Sequence, residues 1–281
     1  MIGVTIQCRL GNQLFQYAFI KALAKKLNTG FFLNENINEF LAAKYFDFRG
    51  LSKVRNRFNQ LYFKITKSPF KPLNHLELSD FDVPQEEMKN LANNQIYSGY
   101  FQSEEYFKNI CHNIQFHISV KKGYRNEFNQ LYGNQFKKNK VIAIHIRKGD
   151  YLDLDSWWND NLGSSNLSLP NSFYLDCLKK VEDIDRYQIV FVSDDIKKVK
   201  EDFKHMKNAS FSENSLIIDF QIIMNADICI ISNSSFSWWA SYLNCKKNKQ
   251  IFCPKYWLGF KIGKEYPNKI IPMSWNKVNV S

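Results

Sequence analysis

An apolar run that ends in charged residues stands out at positions 141–151, VIAIHIRKGDY. It is typical of a buried parallel strand whose last residues emerge at a ligand crevice. Side chains alternate between the faces of a strand, so His145 and Arg147 are predicted to share one face while Lys148 points to the other. Burying an unpaired cation is costly, so the pattern predicts that an anion meets this strand end.

Two later apolar runs also end in polar clusters. These are Ser193, Asp194 and Asp195 after residues 189–192, and Asn233, Ser234 and Ser235 after residues 228–231. Intervening helical patterns predict a parallel sheet covered on both faces, so the fold class is α/β. The ends of parallel strands lie along one edge of the sheet, and the three clusters are therefore predicted to form one site.

The side chains of these clusters suit a nucleoside diphosphate. The Arg147 fork matches phosphate oxygens, and the serines stand where a helix N-terminus offers free amides. A carboxylate that accepts from the guanine N1 and N2 donors is expected among Asp194, Asp195 and Asp219. Helix capping is an equally good interpretation of Asp194 or Asp195 taken singly, and His145 competes as a packed core histidine.

The first half opens with a strand at residues 2–7, a glycine turn at 8–13 and a helix from Leu14 to Gly30. Residues 34–94 mix aromatic and basic side chains, and only short helices are predicted there. The polar stretch 133–140 is predicted to be a linker, which gives domains at 1–137 and 138–281. Residues 153–170, which include Trp157 and Trp158, are predicted to form a long loop.

Composition favours a globular protein with anionic partners. The chain has 281 residues, a formal net charge of +11 and 44% hydrophobic residues. It lacks an apolar run of membrane-spanning length and a signal peptide, which predicts a cytoplasmic location, with attraction to the inner face of an anionic membrane as a further role. The six cysteines show no spacing that would suggest a zinc site. Nucleic-acid binding is disfavoured because the sequence has no basic-aromatic motif.

Several longer motifs extend along most of the chain. They are LGNQLFQYAF at residues 10–19, GYFQSEEYF at 99–107, HIRKGDY at 145–151, FVSDD at 191–195, DFQIIMNADICIISNSSFSWWASYL at 219–243 and CPKYW at 253–257. With these motifs the chain resembles glycosyltransferase family 11, the bacterial and animal α-1,2-fucosyltransferases. The resemblance implies a GT-B-like fold of two facing Rossmann-like domains with a donor cleft between them. It also implies GDP-fucose as donor, inversion at the anomeric carbon and no cofactor or required metal.

The resemblance also assigns roles by position. Arg147 would bind the β-phosphate of GDP, and Ser234, Ser235 and Phe236 would complete the phosphate cradle. His145 and Asp219 would lie near the guanosine, with Ser193 and Asn233 also counted among the donor contacts. Asn12 would reach toward the phosphate or the acceptor hydroxyl, and Gln13 is expected on the acceptor side.

The chain departs from the family pattern at several positions. The usual arginine pair is Arg147-Lys148, and the usual Gly-Gly is Cys8-Arg9. The general base is predicted to be Asp150, with Glu104 and Glu105 as alternatives; a loose mechanism in which the leaving phosphate takes the proton stays open.

The predicted reaction is transfer of fucose from GDP-fucose to the 2-hydroxyl of a galactoside in surface polysaccharide synthesis. The acceptor would be a galactose-containing oligosaccharide or a lipid-linked glycan. Another linkage or acceptor, or a catalytically silent sugar- or nucleotide-binding relative, is the alternative. Trp157 and Trp158 are predicted acceptor contacts, whereas Trp238 and Trp239 are predicted to pack in the core.

Overall fold

The computed structural model describes residues 1–34, 39–66, 75–77, 88–108 and 114–281. Within them the chain forms two compact units, one of Met1–Lys121 with Pro267–Ile270, the other of Lys122–Tyr266 with Ile271–Ser281. Pro69, Pro72, Pro84 and Cys111 lie outside the described residues. No helix among the described residues is both long and apolar enough to cross a bilayer.

The first unit contains a parallel sheet of four strands in the order β2-β1-β5-β4. Its strands are β1 (Ile2–Val4), β2 (Phe31–Leu33), β4 (His75–Glu77) and β5 (Ile96–Ser98), and β3 (Phe46–Phe48) pairs with β6 (Ile118–Val120) in an antiparallel ribbon. The helices are α1 (Leu10–Lys26), α2 (Ala42–Tyr45) and α3 (Lys53–Thr66), with 3-10 turns at Glu104–Tyr106 and Ile114–Phe116.

Helix α1 begins four residues earlier than predicted, at Leu10. The chain turns into it at Cys8, which has a φ of 62° in the left-handed region that favours glycine. Asn12 and Gln13, expected in a turn, therefore lie in the first turn of a helix. Ser103 caps the 3-10 turn at Glu104–Tyr106, because its side chain accepts a hydrogen bond from the Glu105 N–H.

The second unit contains a six-stranded parallel sheet in the order β12-β11-β10-β7-β8-β9. The strands are β7 (Lys140–Ile146), β8 (Tyr187–Ser193), β9 (Ala209–Phe211), β10 (Ile228–Ile231), β11 (Gln250–Pro254) and β12 (Asn276–Val278). The helices are α4 (Lys122–Lys138), α5 (Ser156–Leu162), α6 (Asn171–Leu178), α7 (Ile196–Phe203), α8 (Leu216–Asn225) and α9 (Ser235–Tyr242), with 3-10 turns at Gly149–Leu152, Ile184–Arg186 and Leu258–Lys261.

Alternation along β7 divides its side chains between the two faces of this sheet. Ile142, Ile144 and Ile146 join a core with Phe173 of α6 and Phe191 of β8. The side chain of His145 takes the other face. The predicted α/β class with parallel sheets is confirmed.

Two predictions about connecting segments are wrong. The supposed linker 133–140 lies mostly within α4, which packs on α8 and β7. The second compact unit begins at Lys122, the first residue of this helix. The supposed loop 153–170 contains α5, whose first turn is capped by Asp155.

Candidate active site

The second sheet changes its direction of winding between β7 and β10. These strands are hydrogen-bonded neighbours, although β8 and β9 lie between them in sequence. Open parallel sheets bind ligands beyond their carboxyl ends at such a point. His145 is in register with Ile231, and Ile146 with Ser193. The structure therefore brings the three predicted polar clusters together at adjacent strand ends.

Arg147, the first residue beyond β7, forms the centre of a charged cluster. Its guanidinium makes ion pairs with Asp150 and with Asp194, at 3.1 Å from Nη1 to Oδ2 of Asp194. The other Asp194 oxygen accepts a hydrogen bond of 3.0 Å from the Lys148 N–H. The guanidinium also lies 5.5 Å from the centre of the Tyr151 ring. Groups of the chain therefore hold the fork in place, and its side chain is only 14% exposed.

Gly149 is required by the close approach of Asp194. A Cβ atom at this position would lie 2.2 Å from Asp194 Oδ2, the oxygen that pairs with Arg147. Any larger residue must displace that carboxylate. Gly149 therefore leaves the space in which the Asp194 carboxylate pairs with Arg147.

The side chain of Lys148 has different partners from the side chain of Arg147. Its buried ammonium donates to Asn171 Oδ1 at 3.3 Å, and Asn171 donates to Asp202 Oδ2 at 2.9 Å. Burial lowers the pKa of Lys148, an effect that Asp202 opposes. Its contacts lie on α6 and α7, as expected for a side chain directed away from Arg147.

His145 is a buried, neutral histidine. Its Nδ1 shares a 2.9 Å hydrogen bond with Ser232 Oγ, and its ring lies 5.5 Å from that of Phe236. Burial, together with the nearby Arg147 charge, lowers its pKa to about 3. These contacts match the core-histidine interpretation, and its predicted place near the guanosine stays a prediction.

The cluster after β8 divides into two roles. Asp194 joins Arg147, whereas Asp195 caps α7 by accepting from the Lys198 N–H at 3.3 Å. Ser193 Oγ accepts from the Asp195 N–H at 3.0 Å. The capping interpretation therefore describes Asp195, and Asp194 is the member that faces the charged cluster.

The turn after β10 presents the N-terminus of α9 to the same edge. Ser234 is the N-cap residue, and its side chain makes no capping hydrogen bond. First-turn N–H groups have no partner within a helix, so those after Ser234, from Ser235 and Phe236 onward, can face an anion. Asn233 donates to the Leu167 carbonyl at 2.9 Å, and its buried Oδ1 has no hydrogen-bond partner among the described residues.

Asp219 lies in the first turn of α8 and is almost fully buried. It accepts a hydrogen bond from Ser212 Oγ, and burial raises its pKa to about 7. Asn214 extends the network, donating to Ser212 Oγ at 2.8 Å and to Tyr132 Oη at 2.7 Å. The sequence pattern did not indicate that Ser212, Asn214 and Tyr132 belong to this network, because β9, which leads into Ser212, has only three residues.

Asn12 and Gln13 belong to the first unit. Asn12 Oδ1 accepts a 2.7 Å hydrogen bond from Gln102. The buried Gln13 donates to the Cys8 and Glu39 carbonyls and accepts from the Ala42 N–H. Gln13 thus ties α1 to its surroundings. The acceptor-side roles of both residues stay predictions.

The predicted core positions of Trp238 and Trp239 are confirmed. Trp238 and Trp239 are fully buried, and Trp238 stacks on Tyr242. Trp157 is 41% exposed at the start of α5 and meets Trp158 edge-on at 5.2 Å between ring centres. Trp157 is therefore accessible for stacking on a ligand, and acceptor contact by this pair stays a prediction.

The arrangement as a whole can hold a multiply charged anion. It combines a fixed guanidinium, a helix N-terminus and hydroxyl groups at the switch point of a parallel sheet. Within the described ranges, no three histidine, cysteine, aspartate or glutamate side chains cluster as a metal site.

The family model "Glycosyl transferase family 11" matches residues 1–270. The O-antigen biosynthesis glycosyltransferase WbnK of Escherichia coli is 26% identical over 88% of this chain and 92% of its own length. An alpha-1,2-colitosyltransferase of Escherichia coli is 32% identical over 36% of each chain.

Solved structures show the same fold. The alpha-1,6-fucosyltransferase NodZ soaked with GDP-fucose has a TM-score of 0.54 at 13% identity, over 86% of this chain and 92% of its own. POFUT1 in complex with GDP-fucose has a TM-score of 0.50 at 14% identity, over 90% of this chain and 96% of its own. The fold is therefore GT-B-like, as predicted.

Proposed function

Because the chain belongs to glycosyl transferase family 11, we propose that it transfers L-fucose from GDP-fucose to the 2-hydroxyl of a galactoside. The product would carry an α-1,2 linkage within a surface polysaccharide. The relative named for O-antigen biosynthesis, alike over most of both chains, supports this setting. The GDP-fucose complexes of proteins with this fold support the donor. The proposed acceptor is a galactose-containing oligosaccharide or a lipid-linked glycan.

The observation that carries the proposal is the Arg147 cluster at the switch point between β7 and β10. Arg147 would bind the β-phosphate of GDP, and the N–H groups of Ser235 and Phe236, beside Ser234, would receive further phosphate oxygens. These donors stabilise the charge that grows on the leaving diphosphate. We propose that this charge compensation makes the reaction independent of a metal ion.

Arg147 can exchange one of its carboxylate partners for phosphate. Asp150 is 43% exposed and Asp194 is 25% exposed, and Asp194 is also held by the Lys148 N–H. Phosphate would therefore replace Asp150 rather than Asp194. The released Asp150 carboxylate would accept the proton of the acceptor hydroxyl while the acceptor oxygen attacks the anomeric carbon. GDP leaves with the electron pair of the broken glycosyl bond.

Incubation with GDP-fucose and a panel of β-galactosides tests the reaction. We expect GDP release together with a fucosylated product whose linkage is 1→2 by NMR, and unchanged rates in EDTA. Absence of both GDP release and product across the panel would refute the proposal. A product with another linkage would keep the donor and revise the acceptor hydroxyl.

A related deoxysugar is the second candidate donor, because one relative is named an alpha-1,2-colitosyltransferase. The same assay with fucose and colitose donors in parallel decides between them. The preferred donor is the one with the higher kcat/KM. Equal rates would show that the sugar pocket does not discriminate at the position where the two sugars differ.

A further inference from the structure

Helix α3 of the first unit has an unusual distribution of side chains. Its 14 residues bury Asn56, Asn59 and Phe63. Two of these three inward residues are amides, whereas a surface helix ordinarily buries an apolar stripe. The inward face of α3 is therefore more polar than its position would suggest.

The inward amides bind the edge of the parallel sheet. Asn56 accepts from the Leu33 N–H at 2.7 Å and donates to the Leu33 carbonyl at 3.2 Å. Asn59 donates to the Phe31 carbonyl at 2.7 Å, and Gln60 to the Leu33 carbonyl at 2.6 Å. Among the described strands β2 lies at the edge of the sheet, so these side chains satisfy backbone groups on its outer side. The contacts fix which face of α3 points outward.

The outward face is apolar. Val54, Phe58, Leu61 and Ile65 follow at helical spacing and are 80%, 66%, 58% and 71% exposed. Tyr62, beside them, stacks on Phe58 with ring centres 6.5 Å apart. An exposed stripe of this size marks an interaction surface rather than scattered surface residues. We call these five side chains the α3 stripe.

Basic side chains flank the α3 stripe, and α3 contains no acidic residue. At about 100° per residue, Arg57 and Lys64 fall on one side of the stripe and Arg55 on the other. Long basic side chains in these positions can extend to a layer of negative charge while the stripe enters an apolar layer. The surface of an anionic bilayer has both layers in that order.

We propose that α3 docks this protein on an anionic phospholipid bilayer, lying in the interface with the α3 stripe inserted. Pairing with a second copy of the chain fits less well. A two-fold contact through the stripe would bring the basic flanks of two α3 helices together without a carboxylate on either helix. The inference does not depend on the reaction proposed above.

Vesicle co-sedimentation with the full chain tests the proposal. We expect binding to vesicles of phosphatidylglycerol and phosphatidylcholine, and little binding to vesicles of phosphatidylcholine alone. The variant Phe58→Ser/Leu61→Ser/Ile65→Ser should lose binding to the anionic vesicles. The variant Arg55→Gln/Arg57→Gln/Lys64→Gln should bind at least about tenfold more weakly. Circular dichroism establishes that each variant is folded.

A matched control removes the same amount of charge from another exposed helix. The variant Arg125→Gln/Lys137→Gln/Lys138→Gln on α4 should bind much as the unchanged protein does. Equal losses from the α3 and α4 charge variants would overturn the proposal, because net charge alone would then explain binding. Retained binding of the serine variant would overturn it as well. A dimer in light scattering that the serine variant abolishes, without vesicle binding, would assign the stripe to self-association instead.

Discussion

Positive charge is used differently at the end of β7 and along α3. Arg147 is mostly buried, and its guanidinium is paired with Asp150 and Asp194. Arg55, Arg57 and Lys64 are exposed beside apolar side chains on a helix without acidic residues. The first arrangement fixes the direction of each N–H donor, whereas the second leaves each cation free to move over a surface.

The difference indicates two kinds of anion. Fixed donors suit a compact ligand whose oxygens occupy defined positions, and desolvation strengthens each interaction. Mobile, solvated cations suit a diffuse layer of charge, because affinity for such a layer depends on the number of cations more than on their geometry. The basic composition of the chain therefore has at least two separate causes, which the net charge of +11 does not distinguish.

The largest expected effect separates Arg147 from its neighbour Lys148. Arg147→Ala should lower kcat by about 10²- to 10³-fold, because a fixed donor to the leaving phosphate is lost. Lys148→Met, which keeps the buried stem, should retain most of the activity, because the Lys148 ammonium is bound to Asn171. Steady-state rates with GDP-fucose and the best acceptor measure both. Equal losses in the two variants would remove the distinction between the neighbours.

Gly149→Ala should have the next largest effect. The added methyl group would meet Asp194 Oδ2 and push it away from Arg147. We expect kcat to fall by about tenfold or more, since a small misplacement of catalytic groups is costly. The double variant Gly149→Ala/Asp194→Ala relieves the clash, so it should be no less thermostable than Asp194→Ala. Full activity of Gly149→Ala would show that the position of Asp194 is unimportant.

Asp219 sharpens the contrast between a paired and an unpaired buried charge. Burial raises its pKa to about 7, and the side chain that donates to it is the Ser212 hydroxyl rather than a cation. A raised carboxyl pKa favours the protonated folded state, so this group destabilises the fold progressively as pH rises from about 4 to 7. Asp219→Asn should therefore stabilise the protein at about pH 8 and change little at about pH 4.

Urea unfolding of both proteins across this pH range measures the difference. A stability gap that does not grow with pH would contradict the burial of an ionisable Asp219. The same variant should raise the KM for GDP-fucose if Asp219 receives the guanine donors, as the family resemblance implies. Stability and donor binding would then change in opposite directions at one residue.

The strand ends of the second unit could be predicted from sequence because apolar runs stop abruptly there. Ile146, Ser193 and Ile231 end β7, β8 and β10, each within one residue of the predicted end. Buried parallel strands are nearly continuous in apolar residues, so their ends are sharp. The meeting of the three clusters followed from that pattern.

The helices α4 and α5 were missed for different reasons. Phe128 is the buried residue identified in α4, so this helix has little apolar periodicity and its composition resembles a linker. Helix α5 is short, but its ends carry signals: Asp155 caps the first turn, and Gly163 closes it with a φ of 75°. Those two residues would have located α5 within the predicted loop.

Helix α3 could not be recognised as a surface feature from sequence, because its pattern is inverted. In an ordinary surface helix the apolar residues Phe58, Leu61 and Ile65 would face inward, whereas the structure buries the amides of Asn56 and Asn59. The reason is that the edge of β2 presents backbone groups that need hydrogen bonds, and the two amides supply them. The pairing of α3 with this edge is a tertiary property that periodicity does not contain.

The smallest expected effect concerns the α3 stripe and the reaction. Phe58→Ser/Leu61→Ser/Ile65→Ser should change kcat and KM with a soluble acceptor by less than about twofold, because exposed substitutions away from a site rarely alter it. The Arg147 cluster lies in the other unit and has its own partners. With a lipid-linked acceptor in anionic vesicles, the same variant should instead lose rate, because its local concentration at the membrane falls. Equal rates of the variant and the unchanged protein on both acceptors would show that docking does not assist catalysis. A large loss of rate on the soluble acceptor would show that the α3 stripe and the Arg147 cluster are not independent.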